Sequence, residues 1–575
     1  MSGSRIALFI VVVVAVLGVM VLLATLALRA PAPRTPSATV LIFDVPGELD
    51  EAQAPAGTGL FDLVRRDRET VYELADGLRQ AADDPKIKAL VMHIDGIDWG
   101  WAKLAEIREA VMDFRRSGKP VYASFEGGGE REYLLASAAG TIAAPPLAVL
   151  ELNGLTASAL FMRGTLDKVG VTPNFAQAGK YKSAVEAWTK TGMTAPAREA
   201  LQALVDDQYG VLVDSLATAR GMSTDSVTAL IDNGPYGARE AKTAGLVDTL
   251  LHRAEVDSLA ITAAGGHRST LTLNRYVSRL SSPSGNKHIA LVSAVGTIAE
   301  GKSRNSPSDG EILGSETLIK ALREVRNRSS IDAIVLRVDS PGGSAQASDE
   351  IWEEVRRCAE KKPVIASFSD LAASGGYYIA VPADTIVAEP GTLTGSIGAF
   401  GGKLNLLGLY HKLGLNVETV SRGKHAEMFS PFKDFTPEEA QRFQQQMDEV
   451  YRVFVSRVAE GRGMSAGEVD SVGQGRVWTG LSAIDLGLVD VLGGLPEAFA
   501  IARSMAGIGE DESVEIEVYP RVERPFFQRM FADLWGDEDQ EARVDLPPVV
   551  RAWLAAARFP TGAPLTLMPW SIEIR

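Results

Sequence analysis

The sequence predicts an α/β protein made of two tandem copies of one unit, set behind a single N-terminal transmembrane helix. Three observations predict it. An uncharged apolar run stands near the start, segments roughly 244 residues apart repeat one another in order, and within each copy short β-rich runs alternate with helical ones. A chain of 575 residues with 46% apolar and 23% charged residues has the composition of a globular protein of several domains.

Residues Ile6 to Leu28 carry no charge. As a helix they would span roughly 35 Å, enough for a hydrocarbon core of about 30 Å. They exceed the apolar region of about 7–15 residues usual in a cleaved signal peptide. The stretch therefore reads as an uncleaved signal anchor in contact with membrane lipid. Arg5 lies on one side and Arg29 and Arg34 on the other, so charge alone leaves the orientation undecided. The Pro-rich stretch APAPRTPS completes residues 1–37 as a stiff spacer.

The repeat follows. KALVMHIDG (Lys88 to Gly96) resembles DAIVLRVDS (Asp332 to Ser340), and PVYASFEGG (Pro120 to Gly128) resembles PVIASFSDL (Pro363 to Leu371). YLLASAAGTIAAPP falls on YYIAVPADTIVAEP, DKVGV on HKLGL, AGKYKSA on RGKHAEM, ARGMS on GRGMS, and AGLVD on LGLVD. Seven matches in order at nearly constant spacing define a unit of about 210 residues. The copies are expected over 38–255 and 287–500, with a linker at 256–286 and a C-terminal extension at 501–575. Within the second copy, IDAIVLRVDS reads as a buried strand ending in a turn. ASDEIWEEVRRCAEKK is amphipathic at helical spacing, and PVIASFS is again a strand. Strand, turn, helix, strand is the pattern of a largely parallel sheet. In the extension, PFFQRMFADLW and PPVVRAWLAAARF are expected to pack on the body or on a neighbouring subunit.

Composition narrows the function. Fifty-eight basic against 73 acidic residues leave a net charge of −15 with no basic cluster, which speaks against nucleic acid. One cysteine, Cys358, forbids internal disulfides and cysteine-ligated zinc clusters, and six histidines offer little for a His-rich metal site. No cofactor is expected.

The copies differ where chemistry would sit. The second has Asp339-Ser340-Pro341-Gly342-Gly343-Ser344 after a strand, where the first has DGIDWG. A Pro-Gly-Gly turn can free backbone N–H groups for a ligand, although taken alone it reads better as a plain tight turn. The second has Ser374 between Ala373 and Gly375 at a strand-to-helix junction, where the first has Glu130. Such a Ser is either an accessible nucleophile or an ordinary helix cap. The first has Lys182 where the second has Ala426. One copy thus holds a Ser and the other a Lys, as a dyad divided between diverged copies would. Serine attacks only when a base takes its proton, and Lys is that base only when neutral, which burial favours. A Ser-His-Asp triad is the rival, but no histidine sits in a motif.

These residues resemble the signal peptide peptidase A (protease IV) family of membrane-bound Ser/Lys peptidases, in its long form. The resemblance rests on GKYKSAVE (Gly179 to Glu186), DSPGG (Asp339 to Gly343), AASGGYY (Ala372 to Tyr378) and TLTGSIG (Thr392 to Gly398), and it covers nearly the whole chain. It implies two tandem Clp-protease/crotonase-like domains, with Ser374 as nucleophile and Lys182 as general base. Ser396 would orient the Lys; its first-copy counterpart is Leu152. The oxyanion would be held by the Gly375 N–H and by Gly342 or Gly343. The histidine that Clp proteases carry soon after the nucleophile is absent, which favours Lys as base. The resemblance further implies a homotetramer in the bacterial inner membrane, its body in the periplasm, acting on remnant signal peptides and other unfolded apolar segments. A crotonase-like acyl-CoA enzyme shares the Gly-rich turn, but a membrane anchor and AASGGYY argue against it; a catalytically silent scaffold that binds membrane-protein segments would share the fold, but the retained dyad weighs against it.

Overall fold

A computed structural model describes residues 38–53, 69–266, 269–280, 285–306, 310–521, 563–568 and 574. The expected membrane span at residues 6–28 and the two apolar runs of the extension lie outside them. Among the described residues no helix is long and apolar enough to cross a membrane.

The repeat is plain in the strand order. The first unit has a parallel six-stranded sheet in the order Thr249–Leu250, Thr141–Ala144, Val121–Phe125, Ile87–Ile94, Thr39–Asp44 and Ser269–Thr272. The second unit sets Val491–Leu492, Thr385–Ala388, Val364–Ala373, Ile331–Ser340, Lys287–Val295 and Val514–Tyr519 side by side in the same order, again parallel. Central strands such as ALVMHI and AIVLRV are apolar on both faces because helices cover both, as parallel sheets require. Each unit also carries a 26-residue helix, Ala195–Arg220 and Pro437–Arg462, begun by a Thr cap and ended by a left-handed glycine. In each, the last arginine pairs with an aspartate, Arg220 with Asp248 and Arg462 with Asp490. That aspartate also accepts the N–H of Ile142 or Ile386.

The units run further than the sequence matches reach. Ser269–Thr272, expected in the linker, is the edge strand of the first sheet, and Val514–Tyr519, expected in the extension, is its counterpart in the second. These strands keep no common residue pattern, so only their pairing reveals them.

A third, mixed sheet joins the units. Its order is Arg304–Ser306, Gly310–Gly314, Thr297–Ala299, Gly342–Ser344, Leu565–Leu567, Ala399–Asn405 and Thr172–Ala178. Thr172–Ala178 belongs to the first unit and pairs antiparallel with Ala399–Asn405 of the second over seven residues. Behind this sheet, the interface buries a charged cluster. Arg337 of the second unit meets Glu51 and Glu106 of the first, each at 2.6 Å. Lys103 of the first meets Asp339 at 2.8 Å. The Asp370 carboxylate accepts the N–H groups of Gly100, Ala102 and Lys103 at 3.0–3.1 Å.

Candidate active site

Ser374 stands between the strand Val364–Ala373 and the short helix Gly375–Ala380. The strand is pinned on its far side by Leu393–Gly395, and the Ser374 N–H donates to the Gly395 carbonyl at 2.8 Å. The helix begins at once, its Tyr378 N–H donating to the Ser374 carbonyl. To turn this sharply Ser374 takes φ +56°, and the neighbouring Ser396 takes φ +53°. For non-glycine residues such backbone costs about 1–3 kcal/mol each and persists where the surroundings impose it. Here they impose it on the two serines that the sequence singled out. Ser374 is wholly buried.

Lys182 reaches the same point from the other unit. The pairing of Thr172–Ala178 with Ala399–Asn405 carries the first unit's chain to the foot of the TGSIG loop. The next turn docks on residues Gly473–Arg476 of the second unit, with the Tyr181 N–H donating to the Gln474 carbonyl at 2.7 Å. The Lys182 Nζ then lies 2.7 Å from Ser374 Oγ, 2.8 Å from the Ser396 carbonyl oxygen and 2.9 Å from Ser396 Oγ. Burial holds its ammonium well below the usual lysine range. A neutral amine has two N–H groups and one lone pair. With the N–H groups spent on the two oxygens of Ser396, the lone pair is left facing the Ser374 hydroxyl.

The Pro-Gly-Gly turn lies across the site. The Gly342 N–H donates to Ser340 Oγ at 3.2 Å, and that hydroxyl donates to the Gly296 carbonyl. The Gly342 N–H is thus spent inside the turn. Gly343 is the residue that pairs outward, opposite Thr566 of the strand Leu565–Leu567. Gly342 has φ +93°, and a Cβ there would lie 2.0 Å from the Thr566 carbonyl oxygen and 2.5 Å from the Gly375 nitrogen. The Thr566 carbonyl and the Gly375 N–H therefore crowd the same point above the turn.

All six residues singled out from the sequence, Lys182, Gly342, Gly343, Ser374, Gly375 and Ser396, gather in one place. Three contributors had no sequence signal of their own. Gly475, at φ +79°, lets the second unit's backbone press against Lys182, since a Cβ there would lie 2.6 Å from the Lys182 Cβ. Lys103 grips the aspartate that opens DSPGG. The strand Leu565–Leu567 is three apolar and hydroxyl residues inside the extension. A small apolar cleft opens beside Tyr181, lined by Leu160, Met193, Leu201, Leu204 and Val477.

Comparisons with known proteins identify the family. The model of Peptidase family S49 matches twice, over residues 113–265 and 356–509. The "Serine protease SPPA, chloroplastic" of Arabidopsis thaliana is 36% identical over 496 residues, covering 84% of this chain and 72% of that protein. "Protease 4" of Haemophilus influenzae is 32% identical over 471 residues, covering 78% and 74%. Among solved structures, a ClpP1 mutant from Listeria monocytogenes aligns with 36% of this chain and 91% of its own, at 16% identity and a TM-score of 0.24. The chain belongs to peptidase family S49 and is a serine peptidase.

Proposed function

We propose that the chain is a membrane-anchored serine endopeptidase working through a Ser374/Lys182 dyad, and that it degrades remnant signal peptides and other unfolded apolar segments. The observation that carries the reading is the 2.7 Å approach of a wholly buried lysine amine to a wholly buried serine hydroxyl across two units. In this reading Lys182 takes the Ser374 proton as Oγ attacks the peptide carbonyl carbon. The oxyanion accepts the N–H groups of Gly343 and Gly375. Gly343 is assigned because the N–H of Gly342 is already engaged by Ser340. Lys182 then passes its proton to the leaving amine, and an acyl ester remains on Ser374. Water deprotonated by Lys182 hydrolyses the ester. Ser396 fixes the amine so that its lone pair points at Ser374.

The apolar cleft beside Tyr181 supports an apolar substrate. Attachment through residues 6–28 to the bacterial inner membrane, a periplasmic body and a homotetramer complete the proposal, on the strength of the family resemblance. S374A and K182A are the test. Each is expected to lower kcat/KM on an apolar peptide at least about 10³-fold with the fold intact. Near-normal turnover in either variant overturns the dyad.

A further inference from the structure

One helix starts in both copies at the same place and is capped in different ways. In the second unit Ser344 opens the helix Ala345–Ala359, and its own Oγ accepts the Ala347 N–H at 3.2 Å. In the first unit the matching helix, Trp101–Arg116, starts after Gly100, which has no side chain to cap it. The acceptor comes from the other unit instead. It is Asp370, on the strand that leads to Ser374. Both sides are fitted to this exchange. The first-copy counterpart of Asp370 is Gly127, and a Cβ on Gly100 would stand 2.2 Å from the Asp370 carboxyl carbon. Lys103, in the first turn of the same helix, has Ala347 as its second-copy counterpart, much as Lys182 has Ala426. The Lys103 Nζ lies 2.8 Å from Asp339 Oδ2 and 3.6 Å from Asp370 Oδ2. Burial opposes its charge, but Asp339, Asp370 and Glu51 hold the ammonium above the usual lysine range. The first unit thus sends two lysines to the second unit's site, one kept neutral by burial and one kept charged by carboxylates.

The two aspartates stand on the two strands that carry the reacting groups. Asp339 precedes Ser340 and the Pro-Gly-Gly turn. Its carbonyl accepts the Gly296 N–H at 3.0 Å, and its Oδ1 accepts the Leu371 N–H at 3.2 Å. Asp370 and Leu371 lie on the nucleophile's strand, which leaves regular pairing at this point. Val338 faces Phe368, but Ser340 faces Ala372, so Ser369, Asp370 and Leu371 together stand opposite Asp339 alone. Such a bulge breaks the ladder and bends its strand. Here its exposed groups are taken up from outside the ladder. Ser369 Oγ donates to Glu51 of the first unit, Asp370 caps the first unit's helix, and Asp339 takes the Leu371 N–H. We infer that Lys103 is a positioning residue for the reaction: by clamping Asp339 to Asp370 it sets the oxyanion turn, with its Gly343 N–H, at the right distance from Ser374 and the Gly375 N–H. The inference rests on the peptidase reading above. Lys103 acts only through the two carboxylates; without the cation they repel one another, and the bulge opens.

K103M in the full-length chain removes the clamp and keeps most of the side chain's length. Deleting an oxyanion donor costs about 10²–10³-fold in kcat, and a displaced one should cost less. K103M is therefore expected to lower kcat on an apolar peptide about tenfold, with KM within about twofold. An apolar peptide aldehyde adds to Ser374 Oγ and sets an oxygen at the oxyanion position. It should bind K103M about tenfold more weakly, in step with kcat/KM. K103M/D339N removes both charges of the pair and should show the same two losses; it carries the test where K103M does not fold. R326M breaks a largely buried pair with Glu354 elsewhere in the second unit. It should lose stability with kcat and aldehyde binding unchanged. A loss confined to KM, unchanged aldehyde binding in the Lys103 variants, or an equal loss of kcat in R326M overturns the inference. Activity of the unaltered chain on the peptide separates the two readings. Inertness there overturns the peptidase proposal, whereas activity insensitive to K103M and K103M/D339N overturns the positioning role alone.

Discussion

A methyl group added to the second unit should disable a base supplied by the first. Gly475 lies where the second unit's backbone meets the Lys182 turn. A Cβ at 475 would stand 2.6 Å from the Lys182 Cβ and nitrogen and 2.7 Å from its Cα. These are backbone or backbone-attached atoms that no rotamer change removes. Restoring ordinary contact near 3.4 Å displaces the Lys182 turn by about 0.8 Å. The Nζ is held by three contacts of 2.7–2.9 Å, so a shift of that size breaks alignment with Ser374. Misplacement of about 1 Å in a catalytic group costs on the order of 10²-fold in rate. G475A is therefore expected to lower kcat on an apolar peptide about 10²-fold, with KM nearly unchanged. Backbone strain needs a control, since Gly475 has φ +79°. Gly301 has φ +87° with nothing within 4 Å of a built Cβ, so G301A carries the strain without the collision. G301A should lose about 1 kcal/mol and G475A about 1–3 kcal/mol more from the collision, while only G475A loses activity in the folded state. If kcat of G475A stays within threefold of the unaltered chain, or G301A falls equally, the reasoning on Lys182 fails.

Further outcomes follow from the same geometry. With Lys182 held below the usual lysine range, kcat/KM should rise with pH through an inflexion well under about 10.4; a limb at the ordinary lysine value refutes the buried base. S396A removes one of two acceptors for the amine and should lower kcat about tenfold, read from peptide turnover at saturating substrate. R337M leaves Glu51 and Glu106 buried without their partner and should cost about 3–5 kcal/mol, read from chemical denaturation. Burial, ahead of neighbouring carboxylates, pushes Glu106 up to about 7 and Glu389 up to about 8. The folded chain then binds more protons than the unfolded one from about pH 4.5 to 8. Stability from these two groups is full below that window and falls as pH rises through it; E389Q should flatten the slope in a melting series.

How much of this could be read from residues depends on where the information lies. Ser374, Lys182 and the Gly-Gly turn were legible because chemistry needs those residue types, and because the two copies differ at those positions. Gly475 was not: its role is to lack a side chain next to a lysine nearly 300 positions away. The strand at 565–567 was not, since three residues carry no periodicity and their place is set by the open edges they fill. The edge strands at 269–272 and 514–519 escaped for a similar reason, being recognised only by their partners.

The first unit shows why the chain retains both copies when only one holds a serine. At the place of Ser374 it has Glu130, also buried, whose carboxylate accepts the N–H groups of Asn153 and Gly154 at 2.8 Å each. Those residues are the counterparts of Ile397 and Gly398, in the loop whose Ser396 holds Lys182. In the first unit a side chain within the unit thus ties the loop that, in the second, is engaged by a lysine from outside. The counterpart of Lys182 is Ala426, in a stretch of the second unit that is largely exposed. Among the described residues, that stretch therefore brings no lysine to the first unit's Glu130. Restoring a serine by E130S would free two buried N–H groups without bringing a base, and should cost stability without adding activity. The asymmetry is structural as much as chemical: one unit became the donor of a strand and a lysine, the other the receiver. A single copy would lack both the base and the seven-residue pairing that aims it.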